Sequence, residues 1–417
     1  MPMPGRIVLT NGHLIDGSGG EPVSGASLVI AGSKIRQVIR DGESASADGD
    51  VRIDLNGGTI MPGLIDAHIH AGNIELTLDR TAALPPAVYV HRASRNLVQD
   101  LMMGFTTVRD AAGLDAGFKA AAAQGLIRAP RLFLSITPLA KGAQCPQDDA
   151  LKTPAPRNSL GIYPEICRSP EDMAAAVRRT LKRGADQIKV FADGEVVSQD
   201  KADNRLPGEP VFTVEALAAA VQTAAAAGAY VMAHCYCPAA IKACVAAGVR
   251  SIEHGNLLDV ETARLMAQQH TFLVPTLAIY DILTTEGRAA GLDRRSRAKL
   301  EQVARAGAEA VAVAWAAGVN IGSGADIIGP FQHLKGRELR LKADLMSPMA
   351  ALVSATRTNA ELMGIDNQLG TLETGKLADL IVLDRNPLVD MSLFEAPDQH
   401  VVLVIKNGVI EKNMISL

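Results

Sequence analysis

Leu64-Ile-Asp-Ala-His-Ile-His70 follows a Pro62-Gly63 turn and reads as an apolar β-strand that carries two histidines. Side chains two apart on a strand share a face, so His68 and His70 stand side by side at a spacing suited to one metal ion. An isolated His-x-His pair is as readily two ordinary core or surface histidines. The remainder of the chain decides between these readings.

Downstream of this stretch the texture alternates between short apolar runs and Ala-rich helical segments. Strands are expected near Leu64–His70, Thr106–Asp110, Arg131–Ile136, Gln187–Phe191, Tyr230–His234, Ser251–His254, Phe272–Pro275 and Asn320–Ser323. Helices are expected between them, including Pro170–Arg183 behind a Ser169 cap and Thr213–Ala227 with Glu215 in its first turn. Several helical runs close on glycine before the next strand, as at Gly184, Gly228, Gly248 and Gly318. Eight strand–helix repeats over this length predict an α/β fold, a TIM-type (β/α)8 barrel over residues 63–363.

Upstream, Ile7–Asn11, Ser27–Ile30 and Lys34–Ile39 are strand-like and separated by turn pairs such as Asn11-Gly12 and Ala31-Gly32, which predicts a small antiparallel unit. After a helix at Ser347–Met363 the texture reverts to strands at Leu380–Leu383 and Val401–Ile405, with Asn407-Gly408 as a hairpin signal. Neither terminal segment is large enough to stand alone. Residues 1–62 and 364–417 are therefore expected to pair as one β-sandwich domain, with the barrel inserted between them.

Composition excludes several classes. Hydrophobic residues make up 48% of the 417, charged residues 21% and aromatics 3%, so a sizeable core must be built from Ala, Val, Leu and Ile. Basic residues number 41 against 45 acidic ones, a net charge of -4, which gives no electrostatic grip on nucleic acid or on an anionic membrane. No stretch approaches the roughly 18 apolar residues of a membrane span, and the first residues lack the pattern of a secretory leader. Cys145, Cys167, Cys235, Cys237 and Cys244 are odd in number and scattered, so buried thiols in a reducing, cytoplasmic setting are expected.

Barrel chemistry sits at the C-terminal ends of the strands. Strand one ends in His68 and His70, strand four carries Lys189 within an apolar run, strand five ends at His234, strand six at His254, and Asp326 follows strand eight. Each has an ordinary explanation alone, such as a salt-bridge partner for Lys189 or a loop cap for Asp326. With nine histidines in the whole chain, four at one mouth point to a metal centre.

The stretches Met61–His70, Gly104–Asp110, Gly184–Val190, Ala233–Tyr236, Ile252–Gly255 and Gly375–Leu380 together resemble the metal-dependent amidohydrolase superfamily, in its imidazolonepropionase/prolidase-like branch. The resemblance spans nearly the whole chain and implies the same barrel with a β-sandwich from both termini. It implies that His68, His70 and Asp326 hold one divalent ion and His234 and His254 another, with Lys189, carboxylated by CO2, bridging them. Zinc is the implied metal, although imidazole and oxygen ligands also admit manganese, cobalt or iron. It further implies attack on a carbonyl by a hydroxide bridging the metals, with Asp326 shuttling the proton to the leaving amine. Tyr236, in a His-x-Tyr element, is the implied oxyanion donor, and His333 matches a histidine of the family's substrate loop. Packing at the barrel rim for Tyr236 and plain exposure for His333 stand as the alternatives. In place of a Gly-Gly-His element after strand three, this chain has Lys141–Cys145, with Gln144 near the histidine position. Gln144 donates a hydrogen bond without carrying charge, so dipeptidase specificity does not transfer directly from the resemblance. The long polar stretch from Gln144 to Tyr163 has the look of a lid, or of an exposed excursion.

The expected activity is hydrolysis of an amide in a small molecule, such as a dipeptide or an N-acyl amino acid, including ochratoxin-like N-acyl-phenylalanines. Arg109, Lys335 and Arg337 are candidates for a substrate carboxylate. A urea or carbamate hydrolase with the same metal site is the alternative, and a metal-free scaffold, known in this superfamily, is disfavoured by retention of every ligand position. Partners are limited to the substrate and, by resemblance, further copies of the chain.

Overall fold

The computed structural model describes residues 5–40, 49–141, 163–194, 208–286 and 294–415. Gln144, nearly all of the stretch up to Tyr163, and Cys145 lie outside them. The chain is mixed α/β. It opens with β1 (Ile7–Leu14), β2 (Val23–Ala31), β3 (Lys34–Ile39), β4 (Val51–Asp54) and β5 (Thr59–Pro62). The site-bearing strands follow as β6 (Leu64–Ile69), β7 (Phe105–Asp110), β8 (Arg131–Leu134), β9 (Leu139–Ala140), β10 (Glu165–Ile166), β11 (Ile188–Phe191), β12 (Val231–Cys235), β13 (Ser251–His254) and β14 (Phe272–Val274). The chain closes with β15 (Leu380–Leu383), β16 (Val401–Lys406) and β17 (Val409–Asn413).

Strands from both ends of the sequence share one eight-stranded sheet, ordered β17-β16-β15-β5-β1-β2-β3 with β4 on β1. Its alternating apolar residues bury a common core that includes Leu9, Leu28, Ile60, Leu380 and Leu403. The first five strands are not purely antiparallel, because β4 and β5 both run parallel to β1. Asn407 and Gly408 both adopt positive φ (53° and 74°), the backbone that a tight hairpin between β16 and β17 requires.

Between these ends, β6-β7-β8 form one parallel sheet and β10-β9-β11-β12-β13-β14 another. Backbone bonds link the two: Asp186 N donates to Leu134 O (2.8 Å) on one side, and Ala67 N donates to Ser323 O (2.8 Å) on the other. Helices pack outside. Ser169 caps Pro170–Lys182 and Thr213 caps Val214–Ala225 through their side-chain oxygens. The outward residues of β11 and β12, Ile188, Val190, Ala233 and Cys235, bury against these helices. Among the described residues no helix is long and apolar enough to cross a membrane.

Two expectations fail locally. Residues 320–323 are not a regular strand; one bridge, Leu273 to Ile321, is all that ladder pairing supplies. Side chains replace the missing rungs: Asn359 Nδ2 donates to Ile65 O (2.6 Å) and Ser323 O (2.7 Å), Ser323 N donates to Asn359 Oδ1 (3.0 Å), and Lys342 Nζ donates to Gly322 O (2.5 Å). The helix expected over Ser347–Met363 is broken by a π turn at Ser354–Thr358, where Ser354 and Thr356 hydroxyls bond back to Ala351 O and Leu352 O. That turn sets the position of Asn359.

Candidate metal centre

Period-2 alternation places Asp66, His68 and His70 on the inner face of β6, while Ile65 and Ala67 pack outward with Phe272 and Val274. Lys189 of β11 and His234 of β12 reach the same interior. Lys189 is 1% exposed, and its Nζ lies 3.4 Å from His68 Nε2. Alternation alone would turn His254 away from Glu253, its neighbour on β13. A left-handed backbone at His254 (φ 75°) brings it back, so both side chains face inward. Asp326 sits in the same unusual conformation (φ 55°). Such backbone outliers cluster where a fold holds a site under constraint.

These residues meet. His68, His70 and Asp326 offer one ligand atom each, all within 4.8 Å of one another. Asp326 Oδ1 is 3.4 Å from His68 Nε2 and 3.3 Å from His70 Nε2, and its Oδ2 is 3.8 Å from His254 Nδ1. The His254 ring lies 5.3 Å from His68 and 4.5 Å from His234 between centroids. The Nδ1 atoms are engaged elsewhere: His68 with Glu253 Oε2 (2.7 Å), His70 with Ala112 O (3.0 Å) and His254 with Thr276 Oγ1 (2.7 Å). In each, Nε2 is the nitrogen left available to a metal. His234 Nε2 is buried with no hydrogen-bond partner. Imidazoles with one nitrogen anchored, an orphaned ring nitrogen, a carboxylate and a lysine make a donor set that fits divalent ions.

Electrostatics favour the ligand form. Burial, reinforced by the Lys189 charge, holds the protonated forms of His68 and His234 well below the usual imidazole range, and His70 down at about 4. Burial and the neighbouring His234 do the same to His254. Neutral imidazoles need not shed a proton to bind a metal at neutral pH.

Around this centre lie residues that sequence reasoning passes over. Glu253 holds His68 and is itself held by Arg109 Nη2 (2.9 Å) and Ser251 Oγ (2.6 Å). A carboxylate inside an apolar strand is the same signal that singles out Lys189. Asp66 Oδ1 accepts from His68 N (3.0 Å) and Ala325 N (3.2 Å), tying the ends of the sequence of site residues together. Gly324 admits no side chain, since a Cβ there would fall 2.6 Å from His68 Cβ. Tyr236 stacks on His254 (5.1 Å, 21°), and Tyr280 donates to its hydroxyl (2.8 Å).

The substrate-binding expectation for Arg109 is overturned. It is wholly buried beneath the centre, with Nε on Ala67 O (2.6 Å), Nη1 on Ser251 Oγ (3.1 Å) and Nη2 on Glu253, so it faces no ligand. Lys335 is also buried, 2.5 Å from Asp100 Oδ1, and Arg337 pairs with Asp281 Oδ2 (2.9 Å). His333 is exposed on the short 3-10 turn Gly329–Leu334, next to Gln332, whose amide reaches His70 O (3.3 Å). The four described cysteines are buried free thiols.

Asp193 fixes the chain just past His234: its Oδ2 accepts from Tyr236 N (2.7 Å) and Cys237 N (2.9 Å). Burial raises this carboxyl to about 6 despite those donors. An unfolded Asp titrates near 3.9, so the folded state holds the proton more tightly; stability from this group is complete below about 4 and is lost as pH rises through about 6. Relative to Asp193→Asn, the metal-free wild type should lose about 3 kcal/mol across that window. Denaturant unfolding of both proteins at either end of it checks this, and a pH-independent difference would refute it.

Residues 59–414 match the amidohydrolase family. Ochratoxinase of Aspergillus niger is 31% identical over 97% of this chain and 86% of its own. A prolidase solved with N-methylphosphonate-L-proline superposes with a TM-score of 0.90 at 34% identity, covering 98% of this chain and all of the other. A Xaa-Pro dipeptidase with bound methionine gives 0.84 at 29%, over 97% of this chain and 99% of its own. The chain belongs to the amidohydrolase family, hydrolases of amide carbon–nitrogen bonds.

Proposed function

We propose that this protein is a binuclear metal-dependent hydrolase that cleaves the amide bond of a dipeptide or N-acyl amino acid, ochratoxin-like N-acyl-phenylalanines included. The observation that carries the reading is the grouping of His68, His70 and Asp326 at ligand distance, with Lys189, His234 and His254 packed beside them. In this reading the two linked parallel sheets form a closed (β/α)8 barrel over residues 63–363, and residues 1–62 with 364–417 form a composite β-sandwich domain. His68, His70 and Asp326 would hold one ion, His234 and His254 the other, with carboxylated Lys189 shared; zinc suits the donors.

Bound there, the ions would acidify water and polarise the scissile carbonyl. The chain's own groups do the remainder. Asp326 takes the proton of the attacking water and returns it to the amine nitrogen as the carbon–nitrogen bond breaks. Tyr236 donates to the oxygen on which negative charge develops. Apolar residues flank the mouth, with Ala325 and Ile327 beside Asp326 packing on Tyr236, Ile279 and Tyr280.

One observation favours a second reading, hydrolysis of a urea or carbamate that lacks a carboxylate: Arg109, Lys335 and Arg337 are all ion-paired. A screen of dipeptides, N-acyl amino acids, their methyl esters and aryl ureas against the zinc-loaded enzyme separates the two. Turnover of acids above esters supports the first; the reverse order supports the second. Gently purified protein should carry two ions per chain by elemental analysis, and fewer than one would sink the binuclear proposal.

A further inference from the structure

Thr276 sits at the first position before the helix Leu277–Thr285, where a threonine hydroxyl ordinarily caps the backbone. Here it does not. Glu338 Oε2 takes the N–H of Ala278 instead (2.8 Å), and the Thr276 hydroxyl is turned to His254 Nδ1 at 2.7 Å. The turn requires a left-handed backbone (φ 50°, ψ 47°), which a β-branched residue rarely adopts, and the side chain is completely buried. A residue diverted from its usual partner into a strained conformation marks a hydroxyl that the site needs.

With Nε2 of His254 as the ligand, Nδ1 carries the proton and donates to Thr276. One turn further along the same helix, the hydroxyl of Tyr280 donates to the Tyr236 oxygen at 2.8 Å. Tyr236 has then accepted one bond, and its own proton is left for a partner outside this set. Its ring is stacked on His254 and shares one buried cluster with Ala278, Ile279 and Leu283.

We infer that Thr276 and Tyr280 are positioning residues, Thr276 fixing the His254 imidazole on which the Tyr236 ring stacks and Tyr280 aiming the Tyr236 proton at the substrate oxyanion. The inference rests on the reading of His254 as a metal ligand and of Tyr236 as the donor. Coordination of an ion at Nε2 would polarise Nδ1–H and strengthen its bond to Thr276. The donor is therefore set before substrate arrives, which is the condition under which such a group contributes most to turnover.

The test combines zinc binding and a double-mutant cycle. Metal-free protein titrated with zinc against a chelator should show Thr276→Val weakened about 10- to 100-fold, the usual effect of losing a group behind a ligating histidine. Tyr280→Phe should bind zinc within about twofold of wild type, because its hydroxyl bonds Tyr236 rather than a ring nitrogen of His254. With the best amide of the screen, Tyr236→Phe should lower kcat about 10²- to 10³-fold and Tyr280→Phe about tenfold, with KM nearly unchanged. The double variant should be no slower than Tyr236→Phe alone, since Tyr280 acts only through Tyr236. Thr276→Ser, which keeps the hydroxyl, should retain zinc affinity and kcat. Additive losses, a wild-type kcat in Tyr280→Phe, or a Thr276→Ser as impaired as Thr276→Val would overturn the positioning roles and leave the function of Tyr236 intact. A wild-type kcat in Tyr236→Phe would instead overturn the donor assignment itself. Tyr280→Phe removes one oxygen from a ring that stays packed, so the cycle stands even if Thr276→Val fails to fold.

Discussion

Lys189→Ala is expected to lose one of the two metal ions and to lower kcat by about 10³-fold. The charge stabilisation supplied by a second ion is worth several kcal/mol, and each 1.36 kcal/mol is a factor of ten. A protonated amine has no lone pair for a metal, yet Lys189 Nζ stands 3.4 Å from His68 Nε2 in a buried site. Conversion to a carbamate, as proposed, would turn an ill-placed cation into a two-oxygen anionic ligand. A merely structural lysine predicts the opposite result. Removing its charge from among imidazoles that it holds in their neutral form would relieve repulsion and leave metal content untouched. Elemental analysis of the variant alongside its kcat decides; wild-type kinetics with two ions bound would mean that no bridge passes through Lys189.

Arg109→Leu is expected to cost about 3–5 kcal/mol of stability, because it strands Glu253 as a buried carboxylate without its counter-charge. Arg109 and Glu253 are both fully buried and 2.9 Å apart. The double variant Arg109→Leu/Glu253→Gln should recover part of that loss, since removing both charges of a buried pair is cheaper than removing one. Denaturant unfolding of the three proteins measures it. Had Arg109 bound a substrate carboxylate, the single variant would raise KM and leave unfolding unchanged.

How far the site could be read from sequence depended on whether local backbone rules governed each residue. On β6 they did: alternation alone puts His68 and His70 together with Asp66 behind them. The same rule works for Lys189 and His234, whose neighbours pack outward. It fails at His254 and Asp326, which reach the centre through left-handed backbone, a choice that propensity does not encode. Residues 320–323 look strand-like in sequence, yet beyond a single bridge and a few backbone bonds their partners include side chains of Asn359 and Lys342 on later helices. Arg109 shows the converse error, since a cation near a strand end says nothing about whether a carboxylate already waits for it. Thr276 and Tyr280 carry no motif; their relevance appears only when the helix after β14 is seen to lean on the rings of His254 and Tyr236.

The bond from Ala325 N to Asp66 Oδ1 joins residues 259 apart in sequence, and that from Asn359 to Ile65 O joins residues 294 apart. Closing loops of that size costs entropy that only many other contacts can offset, so these seams form after the intervening strands and helices have docked. A chain still emerging from the ribosome presents the imidazoles of His68 and His70 long before Asp326 exists. It can offer a loose two-nitrogen foothold, but not the enclosed centre. Capture of an ion in the mature geometry would thus be a late event of folding, with metal supply acting on the finished protein rather than on its assembly.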